Sequence, residues 1–288
     1  MSNSSTPPAS TRSLSARLLN HPLSRIVMAS LAVIVPIALT LILVQQTLDK
    51  SMRQVWPQLL CAMLCIAGYV QYVRKVEKRE VSELSRDGSL RELGLGAAIG
   101  SATILVVIGT LLGSGAFQID GSNPWVNMLH PIAELTLVAF FEEILFRGIV
   151  LRILDTWIGR LPALFVSAAL FALAHLPNAG ITLLGVAVTI AAGLLFGVAY
   201  LATKRLWLPI GIHFAWNFLS DAVFSLPTSG HTAEGLLQGQ LSGPQWLSGG
   251  AYGIEASLVT LVAISAAAIW LFIVANRRSQ GIPFRWST

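Results

Sequence analysis

Residues 132–151 read IAELTLVAFFEEILFRGIVL, and this stretch decides how the rest of the chain is interpreted. It contains twelve Leu, Ile, Val or Phe residues, which makes it apolar enough to cross a bilayer. Glu142, Glu143 and Arg147 nevertheless lie near its middle. Each such charge costs roughly 2.5–3.5 kcal/mol at the bilayer centre, whereas the apolar residues together contribute about −5 kcal/mol. The charged face of this helix therefore needs protein or water around it.

The composition places the chain among integral membrane proteins. Of its 288 residues, 54% are hydrophobic and only 11% are charged, whereas a soluble domain carries about 25% charged residues. Its mean hydropathy is +0.69. The formal net charge of +5 does not indicate nucleic-acid binding, because the basic residues lie beside apolar runs, as the positive-inside rule predicts.

Apolar runs and loop charges predict an all-α fold, a polytopic membrane helical bundle with about eight transmembrane helices. The runs are approximately 26–46, 56–73, 94–116, 131–152, 161–177, 181–203, 206–224 and 254–276. Lys and Arg are concentrated in alternate connections, with Lys50 and Arg53 as the exceptions, whereas the loops 117–130 and 225–250 contain neither. This asymmetry predicts an N-in and C-in topology. Three G-x-x-x-G pairs, beginning at Gly96, Gly109 and Gly193, suit close packing between helices.

The same runs divide the chain into four parts. We assign a flexible cytoplasmic N-terminal tail to 1–25, helices 1–3 with a cytoplasmic connector to 26–125, a core of helices 4–7 to 126–225, and an external loop, helix 8 and a short cytoplasmic tail to 226–288. Segment 74–93 mixes acidic and basic residues, so we interpret it as a solvated helical connector. Segment 225–250 is rich in Gly, Ser and Gln and is predicted to be an irregular loop.

The charges of the fourth run are not all equivalent. Glu143 and Arg147 are four residues apart, so they can form an ion pair along one helix face. Glu142 points about 100° away around the helix and has no basic residue four positions later. An unpaired buried carboxylate takes up a proton or finds a cation, which suits a general base. Three interpretations of this helix remain open: a structural ion pair, a proton relay or transport role, and catalysis.

Other polar residues lie on neighbouring runs. The fifth run ends near His175, and the seventh contains His213 and Asn217, four residues apart on one face. At about 1.5 Å of rise per residue, Glu142 and both histidines fall in one layer near the middle or the cytoplasmic half of the membrane. The spacing therefore permits one site built from three helices.

Together, these motifs resemble the CPBP family of intramembrane endopeptidases, named for CAAX prenyl proteases and bacteriocin-processing or immunity proteins (also called Abi-type). The three motifs occur in the family's order and read Glu142-Glu143-x-x-x-Arg147, Phe171-x-x-x-His175 and His213-x-x-x-Asn217. The resemblance covers about residues 131–225. It implies an all-helical membrane fold, a polar cavity open toward the cytoplasmic side, and hydrolysis of peptide bonds.

Six residues are candidates for the catalytic site: Glu142, Glu143, Arg147, His175, His213 and Asn217. Our hypothesis makes Glu142 the general base, which polarises a water molecule together with His175. Arg147 would hold Glu143 and thereby the helix geometry. His213 and Asn217 would donate hydrogen bonds to the oxyanion, since their spacing aims both at one point.

A metal-dependent form of this hypothesis is also open. A glutamate such as Glu142, together with His175 and His213, would make a His₂Glu set for Zn²⁺ with water in the fourth position. The protein would then be a membrane metalloprotease of the CAAX-protease type. The family's frequent description as metalloproteases favours this form slightly.

The predicted partners are a peptide or protein substrate and the lipid bilayer, with no nucleic acid. The expected location is the bacterial inner membrane. Two non-enzymatic alternatives stay open. One is an immunity or scaffold protein that keeps the fold without proteolysis, and the other is a proton-coupled transporter.

Overall fold

The computed structural model describes residues 20–278, which are mostly helical. Its α-helices are α1 (Pro22–Thr47), α2 (Trp56–Tyr72), α3 (Ser89–Gly113), α4 (Leu129–Glu143), α5 (Arg152–Ile158), α6 (Arg160–His175), α7 (Leu183–Thr203), α8 (Trp207–Asn217), α9 (Gln245–Ser248) and α10 (Leu258–Arg278). Segments of π-helix continue three of them, at Val73–Glu77, Ile144–Leu151 and Phe218–Val223. Most of the predicted N-terminal tail, residues 1–19, and the final segment 279–288 lie outside the described residues.

The membrane class predicted from composition is confirmed. Five helices are long and apolar enough to cross a bilayer: α1, α2 with its π-helical continuation, α3, α7 and α10. Each of the eight predicted runs coincides with a helical segment, although α1 and α3 begin four and five residues earlier than predicted, at Pro22 and Ser89. They do so because helices continue beyond the apolar run into polar residues. The count of eight crossings and the N-in, C-in topology stay predictions.

The fourth run forms one continuous helix through α4, the π-helical segment and α5. The π-helical segment begins directly after Glu143 and contains Arg147. Such widened turns are frequent at functional sites. The helix ends at Gly159, whose φ of 87° is open to glycine but strained for other residues, and α6 returns antiparallel from Arg160. This turn fixes which ends of α4 and α6 lie side by side.

Close helix packing occurs at two of the three predicted glycine pairs. A Cβ atom added at Gly96 or Gly100 would lie 2.3 or 2.4 Å from a backbone oxygen of α8, so only glycine lets α3 and α8 approach this closely. A Cβ at Gly193 would lie 2.9 Å from the backbone of α6. At Gly109 and Gly113, by contrast, no described atom lies within 4 Å, so the prediction is wrong for that pair. The first crossing matters most, because it positions α8, which carries two candidate residues.

The predicted irregular loop contains regular structure. Strand β1 (Phe117–Ser122) pairs antiparallel with β2 (Leu237–Leu241), and a bulge lies between Ile119 and Gly121. Predicting 225–250 as an irregular loop was therefore wrong for part of its length. The strand escaped prediction because its partner is more than a hundred residues away and neither strand is long enough for a clear alternating pattern.

The predicted solvated connector is in part a buried ionic network. The side chains of Glu77 and Glu83 are only 3% and 2% exposed. Glu77 Oε1 accepts hydrogen bonds from Arg25 Nη2 at 2.7 Å and Arg152 Nη2 at 2.9 Å, and Arg79 Nη2 donates to Glu83 Oε1 at 2.6 Å. We call these five residues the basic-end network. They tie α1, the connector and α5 together, which is why the two glutamates are not solvated.

Candidate active site

The buried centre of the site is an ion pair that also holds a histidine. Arg147 Nη1 donates to Glu143 Oε1 at 2.8 Å, and both side chains are fully buried. The i,i+4 pair expected from the sequence is therefore present. The same Oε1 atom lies 2.9 Å from His213 Nδ1. Glu143 thus links α4 to α8, a contact that sequence spacing did not indicate.

Aromatic rings and a backbone carbonyl surround the Arg147 guanidinium. Its Cζ atom lies 4.6 Å from the centroid of the Phe171 ring and 5.0 Å from that of Phe196. Its Nη2 donates to the carbonyl oxygen of Gly193 at 3.2 Å. These contacts stabilise a charge that the bilayer interior would otherwise disfavour. Sequence reasoning missed Phe196, because one phenylalanine in an apolar helix carries no distinguishing signal.

Glu142 and His213 face each other across a short gap. Glu142 Oε2 lies 3.8 Å from His213 Nε2, and no described residue donates a hydrogen bond to that oxygen. The carboxylate of Glu143 only accepts, so Nδ1 of His213 carries the hydrogen and Nε2 points toward Glu142. A gap of this length suits a bridging water molecule better than a direct hydrogen bond. Glu142 therefore faces His213 with a buried acceptor oxygen that receives no hydrogen bond from the described residues.

His175 and Asn217 lie in the same region without touching that pair. Nδ1 of His175 is 2.8 Å from the carbonyl oxygen of Phe171, and a carbonyl only accepts, so Nε2 of His175 is left available. The Phe171 ring contacts the His175 ring at 4.6 Å and lies 6.5 Å from that of His213. Asn217 is 6% exposed, and its side chain has no hydrogen-bond partner among the described residues.

One cavity of about 590 Å³ brings four of the candidate residues together. Its lining includes Glu142, His175, His213 and Asn217. Glu143 and Arg147 do not line it and lie behind the cavity wall. The arrangement separates groups that can touch a bound molecule from groups that hold them in place. It agrees with the expectation that residues from three helices meet at one site.

The exposed lining residues show where the cavity opens. They are Glu134, Ala174, His231 and Thr232, which we call the mouth. Glu134 lies near the start of α4 and Ala174 near the end of α6, so both are at the opposite end of these helices from Arg152 and Arg160. The basic end is the predicted cytoplasmic end, whereas the resemblance implies a cavity open to the cytoplasm. In this structure the two expectations cannot both hold.

The site does not fit the zinc alternative. Within residues 20–278 there is no group of three His, Cys, Asp or Glu side chains that could hold a metal ion. His175 forms no ion pair with Glu142 among the described residues, so the three side chains of the His₂Glu set do not meet at one point. The metalloprotease interpretation is therefore not supported.

Comparison with known proteins gives one match. Residues 124–219 match the family model described as type II CAAX prenyl endopeptidase Rce1-like. No curated protein and no solved structure matches the chain. The matched segment is about a third of the chain and contains all six candidate residues. The resemblance seen in the sequence is confirmed over this segment: residues 124–219 of this integral membrane protein are similar to the Rce1-like, CAAX-type endopeptidases.

Proposed function

We propose that this protein is an intramembrane endopeptidase in which Glu142 and His213 activate the water that hydrolyses a peptide bond. The observation that carries the proposal is the 3.8 Å gap between Glu142 Oε2 and His213 Nε2, inside a cavity of about 590 Å³. The family match supports the reaction class. The proposed setting is the inner membrane of a bacterium, with a peptide or protein as the substrate.

The chemistry begins with a water molecule between the two side chains. Glu142 removes a proton from that water, whose oxygen forms a bond to the scissile carbonyl carbon. The Nδ1–H of His213 is held by Glu143, which fixes the orientation of the imidazole and stabilises a positive charge on it. When the tetrahedral intermediate collapses, the carbon–nitrogen bond breaks. The leaving amine then takes the proton from Glu142, so the carboxylate is regenerated.

Asn217 is suited to stabilise the oxyanion. Its side-chain amide lines the cavity one helical turn after His213 and has no partner among the described residues. A donor that is already placed at the cavity wall contributes more in the transition state than one that must reorganise during the reaction. We retain His175 as a second group that orients the water, because its Nε2 is available.

Glu143 and Arg147 are assigned as positioning residues. Neither lines the cavity, and their side chains are fully buried. Glu143 holds His213, and Arg147 neutralises Glu143. The pair therefore acts on the reaction through the imidazole, without touching the substrate.

The proposal is tested by cleavage of a quenched fluorescent decapeptide library with purified protein in detergent. We expect Glu142→Gln to lower kcat/KM by roughly 10²–10⁴-fold with no loss of folded protein. The matched control is Asp120→Asn, a carboxylate on the exposed strand β1 that should leave activity unchanged. Full activity of Glu142→Gln would eliminate the proposed base. An inactive wild type would favour an immunity or scaffold role without proteolysis.

A further inference from the structure

The mouth of the cavity and the basic residues lie at opposite ends of the molecule. On the continuous helix from α4 to α5, Glu134 of the mouth precedes Arg152 by eighteen residues, or roughly 27 Å. On α6, Arg160 is the first residue and Ala174 is next to last. Two helices therefore place the mouth far from the basic end.

Helix α8 also places the mouth far from the basic loop that precedes this helix. It begins at Trp207, directly after Lys204 and Arg205, and the loop that carries His231 and Thr232 follows its other end. Arg205 Nη2 donates to the carbonyl oxygen of Ser85 in the connector at 2.7 Å. The connector and the loop after α7 are thus joined at the end away from the mouth, whereas Lys50 and Arg53 follow α1 at the end with the mouth.

Loop charges indicate which end faces the cytoplasm. The loops 117–130 and 225–250, which lie at the end with the mouth, contain no Lys or Arg. Loops rich in Lys and Arg stay on the cytoplasmic side of a membrane, because translocating them is disfavoured. The mouth therefore faces away from the cytoplasm.

The lining of the cavity is acidic. Among the described residues it includes the carboxylates of Glu134, Glu142, Asp221 and Glu255 and no Lys or Arg. An acid-lined cavity with apolar walls attracts cations and repels a free carboxylate. Asn217, unpartnered and 94% buried, is the second feature that indicates a bound polar group, such as a peptide amide.

We infer that the cavity takes its peptide from the non-cytoplasmic face of the membrane, as an internal or positively charged segment and not as a cytoplasmic C-terminus. This inference rests on the proposed endopeptidase function. It differs from what the family resemblance implies, namely a cavity that is open to the cytoplasm. The substrate class that follows is an exported peptide, or the external portion of another membrane protein.

The first test locates the mouth. Single cysteines are placed at Thr232 in the mouth, at Gln240 on strand β2 and at Asp87 in the connector, all of which are exposed. The native Cys61 and Cys65 are fully buried. In right-side-out vesicles, a membrane-impermeant maleimide should label Thr232→Cys and Gln240→Cys but not Asp87→Cys. Labelling of Asp87→Cys alone would overturn the inference, whether or not the protein cleaves peptides.

The second test measures whether peptide cleavage depends on the face of the membrane to which the peptide is added. The impermeant decapeptide library is added outside right-side-out vesicles, outside inside-out vesicles, and to detergent-solubilised protein. Cleavage in detergent and in right-side-out vesicles, at least ten-fold above that in inside-out vesicles, would support the inference. The reverse preference would overturn it and leave the proposed function intact. Maleimide on Thr232→Cys should block this cleavage, whereas the same reagent on Gln240→Cys should not.

If no peptide is cleaved even in detergent, the proposed function fails and the labelling pattern still decides the access side. Peptides with an internal lysine should be cleaved about three- to ten-fold faster than otherwise identical peptides with an internal glutamate. Equal rates, or faster cleavage of the glutamate peptides, would overturn the charge preference.

Discussion

The protein buries carboxylates in two places, and the two differ in how completely their charges are matched. In the basic-end network, Glu77 and Glu83 are surrounded by three arginines, and no buried nitrogen or oxygen atom of these five side chains lacks a hydrogen-bond partner. In the cavity cluster, which we define as Glu142, Glu143, Arg147 and His213, Arg147 is the sole arginine for two carboxylates. Glu142 Oε2 and Glu143 Oε2 have no hydrogen-bond partner among the described residues.

This difference separates a structural role from a chemical one. A buried charge that is fully hydrogen-bonded holds helices together but has nothing left to offer a ligand. An acceptor oxygen without a donor, aimed into a cavity, is ready to bind water or a proton. The surplus of carboxylate in the cavity cluster is therefore the property from which reactivity follows. Four predictions test this contrast.

The largest expected effect is on peptide cleavage, which should depend on the cavity cluster and not on the basic-end network. Glu142→Gln should lower kcat/KM by roughly 10²–10⁴-fold while leaving the melting temperature close to that of the wild type, because the amide cannot accept the proton. Glu83→Gln should do the opposite, with lower stability but unchanged activity per folded molecule. Peptide cleavage and thermal unfolding are measured on the same detergent-purified samples. Equal losses of activity in both variants would remove the distinction.

The second prediction concerns the balance of charge behind the cavity wall. Arg147→Met should destabilise the protein by about 3–5 kcal/mol, because it leaves Glu143 buried without its cation. The double variant Glu143→Gln/Arg147→Met should regain most of that stability but not the activity, since the amide no longer fixes His213 as a carboxylate does. Chemical unfolding in mixed micelles gives the stability. Additive losses in the double variant would contradict a pairwise role.

The third prediction uses pH to examine the basic-end network. Burial alone would raise the pKa of Glu83, but hydrogen bonds from Arg79 and Tyr69 outweigh it and hold the pKa below its usual value. The resulting stabilisation is complete above the unfolded pKa, about 4.3, and is lost as pH falls through the lower folded value. The gap in melting temperature between wild type and Glu83→Gln should therefore narrow as the pH is lowered from 7 to 3.

Glu80→Gln is the matched control for this pH series, because Glu80 is an exposed residue of the same connector. Its melting temperature should follow that of the wild type at every pH. A gap for Glu83→Gln that widens in acid would show that the network does not favour the ionised carboxylate.

The smallest expected effect is on the preference for positively charged over negatively charged peptides. Asp221 lines the cavity, and its Oδ1 atom is buried without a partner among the described residues. Asp221→Asn should reduce the preference for lysine-containing over glutamate-containing peptides by about three- to ten-fold, because one carboxylate is removed from the lining. Cleavage rates of paired peptides provide the measurement. An unchanged preference would place the selecting charge elsewhere in the cavity.

Local patterns in the sequence predicted more of the helices than of the contacts between them. The apolar runs were recognisable because each is a continuous stretch of mostly apolar residues, and the pair Glu143–Arg147 was recognisable because its members are one helical turn apart. The hairpin of β1 and β2 and the burial of Glu77 and Glu83 were not, because their partners are distant along the chain. The same reason hid the contact between Glu143 and His213.

The sequence by itself determined that this is a helical membrane protein and which polar residues are costly enough to need partners. Those conclusions depend on composition and helical period, which are properties of neighbours along the chain. Only the tertiary structure decided that His213 faces Glu142, that Glu143 and Arg147 lie behind the cavity wall, and that the mouth is opposite the basic end. These facts depend on how helices cross, and α3 and α8 cross closely because glycines permit it.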